Sequence, residues 1–309
     1  MKKENLLKAL GIALTAMLCS IVAACDDDNE NEFNVGPSKA SVSAFSKATG
    51  MFISSCGDYR FHYNEQSLTD YIEDKQANRW YFGYEPNLIV YSEKGSRTKS
   101  CSVTYDKNGC LTSISMSDST HTYDHKASIR YSAVISYNDG GHLKAISVST
   151  VSSGSDYTGS QETETRTMEE LWLTWRSDNL DEATYEYQCG EDSWIKSFVF
   201  TYNDSASTNT YCQWVPSLDE ILDLDASLFT EAFAYIGLLG QGPNKLPSAC
   251  EVIQTWPNGR NGSGLNGETI ITDHTFSYGF NSDGTVAYTV VDGTRKTFTY
   301  EKMNNAKAK

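Results

Sequence analysis

The chain has 309 residues, with 25 lysines and arginines against 40 aspartates and glutamates, so its formal net charge is −15. Nucleic acids and anionic lipid headgroups would repel such an acidic chain, which argues against both as partners. Cations, basic proteins and neutral glycans stay compatible with it. The length suits one large β domain or two ordinary domains.

The first 24 residues have the features of a bacterial lipoprotein signal peptide, in the right order. Lys2, Lys3 and Lys8 precede an apolar stretch over 9–24, which is shorter than the about 20 residues of a membrane-spanning helix. A Val-Ala-Ala sequence then stands directly before Cys25, which predicts Cys25 as the lipid-carrying first residue of the mature chain. Cleavage removes three lysines and one glutamate, so the net charge changes from −15 to −17.

An acidic tether is predicted over 25–44. Asp26, Asp27 and Asp28 open a run that has no apolar side chain to bury, so the segment should stay extended. This run resembles the lipoprotein export signal of Bacteroidetes, which implies the outer face of the outer membrane. In another Gram-negative lineage, an aspartate after the cysteine would instead imply retention at the inner membrane.

The body of the chain, 45–303, is predicted to be one antiparallel β domain, followed by a disordered tail over 304–309. One pattern recurs along the body: an apolar, a polar and an aromatic residue in that order, then a turn rich in Asp, Asn and Gly, then a strand in which apolar and polar residues alternate. Such turns tolerate positive φ, and the alternation buries one face of a hairpin. Each aromatic ring should pack across its strand pair. The full pattern occurs at Val103–Tyr105, Ile135–Tyr137, Leu173–Trp175 and Phe276–Tyr278, and its first half occurs at Phe200–Tyr202 and Phe298–Tyr300.

The irregular spacing of these hairpins predicts a meander that forms a barrel or a strongly curved sheet. Strands such as 111–117, which is mostly serine and threonine, do not supply the outward apolar band of a transmembrane barrel. The barrel is therefore predicted to stand in water. The polar stretch 65–77 is predicted to be loop or weak helix.

One helical insertion is predicted near 217–240. Ser217 and Glu220 form a capping box, a second helix start is plausible at Asp225, and apolar residues recur at helical spacing up to Leu239. Gly240, Gly242 and Pro243 would end it. The favoured interpretation is a helix that covers one end or face of the sheet, and the alternative is a helix that binds a membrane or a partner.

Two resemblances follow from these residues. The aromatic hairpins and the segment 235–248 resemble the Bacteroidetes lipoproteins of domain-of-unknown-function family 4595, over roughly residues 50–303. That family is described as having a porin-like fold, which the resemblance implies here, and it brings no established activity or functional residue. The hairpins are also loosely similar to the tyrosine-aspartate repeats of Rhs type.

Six cysteines stay in the predicted domain, and the sequence leaves open whether they are free thiols or form a long-range disulfide. They are Cys56, Cys101, Cys110, Cys189, Cys212 and Cys250. A hairpin turn at 106–109 would place Cys101 opposite Ile114 and Cys110 opposite Tyr105, which is too far apart for a bridge.

No metal or cofactor site is predicted. The histidines of 121–125 would lie about 13 Å apart on a strand, which favours a solvated turn over zinc. Asp219, Asp223 and Asp225 suit helix N-termini, since the calcium-loop pattern is absent.

A glycosidase pair among Glu162, Glu164, Glu169, Glu170, Asp181 and Glu182 cannot be picked out from the sequence. A glycine-rich loop that holds Trp256, Asn258 and Arg260 is the candidate ligand site, because loops on rigid β scaffolds often bind ligands.

The sequence favours a surface lipoprotein that is not an enzyme. It would act as a binding or accessory module of the envelope, with a glycan or an envelope protein as its partner. The alternatives are a hydrolase built on scattered carboxylates and a structural or adhesive protein of the envelope. A pocket with two facing carboxylates, one of them with a raised pKa, would favour the hydrolase.

Overall fold

The computed structural model describes residues 43–94, 98–121, 126–155, 162–203, 207–224, 229–257 and 267–303. They form a closed barrel of sixteen antiparallel strands, each paired with its sequence neighbours, and β1 closes the barrel against β16. The predicted all-β barrel is confirmed. The strands are β1 Met51–Cys56, β2 Tyr59–Tyr63, β3 Thr69–Glu73, β4 Arg79–Tyr84, β5 Asn87–Ser92, β6 Lys99–Tyr105, β7 Leu111–His121, β8 Lys126–Tyr137, β9 Leu143–Ser155, β10 Glu162–Arg176, β11 Asn179–Cys189, β12 Asp192–Thr201, β13 Ala249–Trp256, β14 Glu268–Phe280, β15 Val286–Val291 and β16 Thr294–Lys302.

Two short α-helices and one 3-10 helix accompany the described strands. Helix α1 (Ala44–Thr49) precedes β1, and Ser43 caps it through a hydrogen bond to the Ser46 amide. The 3-10 helix (Pro216–Leu222) and α2 (Ala232–Tyr235) lie between β12 and β13. We call this connecting segment, described over 207–224 and 229–248, the plug.

The plug fills the interior of the barrel, where alternating side chains of the strands point inward. Phe233 of α2 has none of its surface exposed and meets Phe82 of β4 edge to face at 6.0 Å. Tyr235 makes similar contacts with Phe61 of β2 and Phe298 of β16. One continuous apolar core therefore includes both plug and wall. The helical insertion is confirmed as a feature, and it covers the sheet from inside.

The helical details differ from the prediction. Val215 occupies the N-cap position of the 3-10 helix without a side-chain cap, and the Ser217 hydroxyl bonds the Tyr278 hydroxyl at 2.9 Å. The capping box is therefore wrong, because a wall residue competes for the serine. Helix α2 ends at Tyr235, well before Gly240. The start expected at Asp225 lies outside the described residues.

Gly240 has a different role from the one expected. Its φ is +77°, and a Cβ atom there would lie 2.4 Å from the Gly141 carbonyl oxygen and 3.0 Å from the Tyr137 ring. Only glycine allows the plug backbone to come this close to the β8–β9 turn. The plug backbone bonds other turns at the same end of the barrel, which we call the plug end: Leu111 N donates to Leu238 O, and Asn244 N donates to Asp178 O.

The predicted aromatic hairpin residues do more than pack across strands. At the plug end, five of the six, together with Tyr63 and Tyr84, donate a hydrogen bond to a backbone carbonyl near the start of the preceding strand, which gives a belt of such bonds along the barrel wall. The donor and acceptor pairs are Tyr63–Ile53, Tyr84–Thr69, Tyr137–Leu111, Trp175–Leu143, Tyr202–Leu180, Tyr278–Pro247 and Tyr300–Val286, at 2.6 to 2.9 Å.

The outer face of the wall is mostly serine, threonine and charged residues. Ser100, Ser102 and Thr104 of β6 are exposed, and cross-strand hydroxyl pairs such as Ser128–Ser153 link neighbouring strands. The large apolar side chains exposed among the described residues are few and scattered: Tyr81, Ile129, Val134, Val199, Ile270, Ile271 and Phe280. No described helix has the length and apolarity to cross a membrane.

Two local predictions are wrong. The stretch predicted as loop or weak helix contains β3, because Tyr71 and Ile72 pair with β2 and β4. In the β6–β7 hairpin, a bulge at Tyr105 pairs Val103, and not Cys101, with Ile114. The six cysteines of the described domain are free thiols.

Candidate functional site

A groove on the outer face crosses strands β16, β1, β2 and β3. Its volume is about 760 Å³, within the range of ligand clefts in proteins. Two neighbouring bulges shape it, at Ile53–Ser55 against β16 and at His62–Tyr63 against β3. Bulges bend the sheet and turn side chains to new directions, and they occur often beside active sites.

An aromatic row begins in the groove, which His62 and Tyr71 line, and continues beyond it to Tyr81. His62, Tyr71 and Tyr81 are direct register partners on β2, β3 and β4, and Tyr71 lies between the other two. The His62 and Tyr71 rings stack with centroids 4.0 Å apart, while Tyr71 and Tyr81 are tilted at 5.5 Å. Cross-strand pairs of this kind stabilise the sheet. The row also leaves Tyr81 37% exposed, so an aromatic surface faces solvent.

A charged row runs beside the aromatic one. Arg79 Nε donates to Glu73 Oε2 at 2.6 Å, Arg79 Nη1 donates to Tyr81 Oη at 3.2 Å, and the guanidinium lies 5.4 Å from the Tyr71 ring centroid. The hydrogen bonds to Tyr81 and Glu73 raise the pKa of Arg79 above its ordinary value. The guanidinium therefore stays charged and fixes the orientation of the exposed tyrosines.

The remaining groove lining carries charges of both signs. Arg60 and Lys302 contribute two cations, and three carboxylates and neutral hydrogen-bonding groups stand with them. Phe52 and Tyr63 form a second stack at 4.1 Å, and burial raises the pKa of Tyr63. The polar groups that line the groove include Ser54, Ser55, Asn64, Glu65, Asp70, Thr299 and Glu301. Such a lining offers donors, acceptors and aromatic surface together.

A second cluster lies at the end of the barrel opposite the plug end, which we call the mouth. There Lys296 of β16 donates to Asp219 of the plug at 2.9 Å, and the Tyr235 hydroxyl also bonds Asp219. Burial raises the pKa of Asp219 to about 7, with a further contribution from Glu231. Glu231 itself accepts from the Tyr59 hydroxyl at 2.7 Å. These groups line a cavity of about 170 Å³.

A third network at the mouth joins the plug to β14. His274 contacts Glu220 at 3.0 Å and Asp292 at 2.6 Å, and Lys196 lies 3.6 Å from Glu220. Cys250 is the register partner of His274, but burial raises the pKa of its thiol to about 12, so it is no ready nucleophile. This network secures the plug to the wall.

Most residues singled out in the sequence lie away from these sites. Trp256 ends β13 with only 8% of its surface exposed. Asn258 and Arg260, the anchor residues Cys25 to Asp28, and the segment 122–125 lie outside the described residues. In the carboxylate cluster, Glu169 points inward and accepts from Tyr185 at 2.7 Å.

The groove and cavity residues were missed for different reasons. Tyr71 gave little signal, because neither the residues of β3 nor their burial alternates strictly. The sequence interpretation explained Asp219 by its position at a helix N-terminus. In the structure, Asp219 forms an ion pair with Lys296. Nothing in the sequence signals Tyr59 or Lys296, which only barrel closure brings near the plug.

Comparison with known proteins gives structural neighbours alone. No family model and no curated protein matches the chain. The chain is similar to a porin-like protein from Bacteroides vulgatus, with 11% identity, a TM-score of 0.48, and coverage of 81% of this chain and 98% of the other. It is also similar to a porin-like protein from Bacteroides uniformis, with 15% identity, a TM-score of 0.27, and coverage of 69% and 92%. The resemblances to family 4595 and to Rhs repeats stay predictions.

Proposed function

We propose that this protein is a lipoprotein of the outer membrane that faces the cell exterior and binds glycans in its outer groove. The observation that carries the proposal is the groove itself, a cleft of about 760 Å³ that combines the stacked rings of His62 and Tyr71 with charges of both signs and neutral hydrogen-bonding groups. A sugar presents apolar C–H faces and many hydroxyls. Stacking on rings and hydrogen bonding to such side chains match both.

Two features, one of the wall and one of the interior, support a barrel that stands in water and does not conduct ions or solutes. A spanning barrel needs an outward apolar band about 25 Å tall. Here outward positions of β16 are Arg295, Thr297, Thr299 and Glu301, all exposed. The interior is filled by the apolar side chains of the plug. The membrane contact is therefore assigned to acyl chains on Cys25, as the signal sequence predicts.

The glycan proposal is tested by titrating full-length protein with a panel of neutral oligosaccharides and following binding by calorimetry. We expect Tyr71→Ala to abolish or weaken binding at least tenfold, because it removes the central ring of the row. Tyr81→Ala should weaken binding as well, and Phe280→Ala is its matched control, since Phe280 is as exposed as Tyr81 but lies on β14. Absence of binding to every saccharide, or equal loss in Tyr81→Ala and Phe280→Ala, would refute the proposal.

The anchoring proposal has a separate test. Replacing Cys25 with alanine should release the protein from membranes, and protease added to intact cells should digest the wild type. Resistance of the wild type until the cells are lysed would show that it does not face outward.

The hydrolase alternative is favoured by one observation, the pairing of Asp219 and Glu231 in one cavity with the pKa of Asp219 raised to about 7. Against it, Asp219 is held by Lys296 and Tyr235. A panel of chromogenic glycosides decides: turnover by the wild type that Glu231→Gln abolishes would establish the hydrolase.

A further inference from the structure

The mouth cavity lies between the plug and the hairpins that join β1 to β2, β3 to β4 and β15 to β16. Its inner wall consists of Cys56, Tyr59, Asp219, Glu231, Tyr235 and Lys296. Its rim carries Asp58, Asp74, Lys75 and Gln76. The groups come from five separate stretches of the chain, so closure of the barrel around the plug creates this space.

The cations of the cavity already have anionic partners. Lys296 pairs with Asp219 and Lys75 pairs with Asp58. Asp74 is engaged by its own turn, where it accepts from the backbone amides of Gln76 and Asn78. With four carboxylates against two ammonium groups, the cavity has a formal charge of −2 when Asp219 is ionised.

Glu231 forms no ion pair among the described residues, and unlike Asp74 it is not held by backbone amides. It accepts only from two neutral hydroxyls, those of Tyr59 at 2.7 Å and Thr230 at 3.4 Å. A carboxylate in a partly desolvated site gains most from a cation. The negative field is visible at its neighbours: burial and then the charge of Glu231 raise the pKa of Tyr59, and burial and then Asp219 raise that of Cys56.

The cavity also has apolar surface and a defined size. The rings of Tyr59 and Tyr235 lie with centroids 6.5 Å apart at 60° to each other, so that they form two walls. Tyrosine rings attract cations that lie over their faces. A volume of about 170 Å³ is close to that of an engineered cavity of roughly 150 Å³ that takes benzene, which has six heavy atoms.

We infer that the mouth cavity is a binding site for a small organic cation, a primary ammonium group on a short hydrocarbon body, with Glu231 as its counter-ion and Tyr59 and Tyr235 as its walls. Lys296 neutralises Asp219, so the second net negative charge of the cavity is that of Asp74 at the rim. The site is separate from the outer groove, so it stands or falls independently of glycan binding.

The test is calorimetric titration of the full-length protein with three probes of the same four-carbon body: n-butylammonium, n-butanol and butyrate. We expect n-butylammonium to bind at least tenfold more tightly than n-butanol, and butyrate not to bind. Binding of n-butylammonium should weaken as the pH falls below about 7, because protonation of Asp219 leaves the charge of Lys296 unpaired and lowers the net charge of the cavity from −2 to −1. Equal affinities for the three probes would overturn the inference.

Variants at two depths test the site. Glu231→Gln should weaken n-butylammonium binding at least tenfold, whereas Asp223→Asn, an exposed acid of the same plug, should leave it unchanged. Gln76 is exposed at the rim, so its variants do not disturb the fold. Gln76→Lys should weaken binding and Gln76→Glu should strengthen it. Effects of the same sign from both rim variants, or no effect of Glu231→Gln, would refute the site.

Discussion

Replacement of Tyr137 by phenylalanine tests the belt of aromatic hydrogen bonds at the plug end. The Tyr137 hydroxyl donates to Leu111 O at 2.6 Å and approaches Leu238 O at 3.1 Å, so one oxygen joins the wall to the plug. The substitution keeps the ring and removes only the donor. Because a hydroxyl has one hydrogen, the change removes one hydrogen bond and deprives the carbonyl of the fully buried Leu111 of this donor, so we expect the free energy of unfolding to fall by about 1 to 3 kcal/mol.

The measurement is urea unfolding followed by tryptophan fluorescence, and thermal melting gives a second estimate. For a domain of this size, a loss of 1 kcal/mol corresponds to a decrease of about 2 to 4 °C in Tm. The control is Tyr81→Phe, whose exposed hydroxyl accepts from Arg79 at 3.2 Å. That change should stay within about 0.5 kcal/mol of wild type. Equal effects of the two substitutions would show that the belt bonds contribute no more than surface contacts.

Three further predictions follow from burial and charge. The pKa of Asp219 is about 7 in the folded protein and about 3.9 in the unfolded chain, so the folded state binds this proton more tightly. Wild type should therefore lose stability relative to Asp219→Asn as the pH rises from 4 to 7, by up to about 1.4 kcal/mol per pH unit. Urea midpoints of the two proteins that stay parallel across that range would contradict this prediction. Phe233→Ala should lower the free energy of unfolding by about 3 to 5 kcal/mol, because it leaves a cavity at the centre of the plug, whereas Phe280→Ala at the surface should lower it far less. Comparable urea midpoints for the two variants would show that the packing of Phe233 does not stabilise the barrel. Purified protein added to planar bilayers should give no conductance steps, since its interior is filled, and discrete steps would show an open lumen.

The sequence contained enough to predict the hairpins. Val103 and Tyr105 alternate with polar neighbours, and the turn that follows contains Gly109 at a φ of +87°. Both signals are local, since turn chemistry and a period of two act within about ten residues. The aromatic residue beside each turn was also visible. Its hydrogen bond was not, because the acceptor lies 14 to 32 residues away in pairs such as Tyr300–Val286 and Trp175–Leu143.

The candidate sites escaped prediction for a physical reason. The groove depends on bulges at Ile53–Ser55 and His62–Tyr63, which arise when turn geometry and strand pairing disagree by one residue. The mouth cavity depends on Lys296 meeting Asp219 across 77 positions of the chain. Neither event leaves a periodic signal in the sequence.

By itself, the sequence determined the antiparallel strands, their polar and apolar faces and the presence of a helical insertion, because each follows from the residues that lie close together along the chain. Only the tertiary structure decided that β1 closes on β16, that the insertion enters the barrel, and that Glu231 faces a cavity whose two lysines pair with other carboxylates. Closure and filling are collective outcomes of sixteen strands competing to bury one apolar face, and no single segment of the chain specifies them.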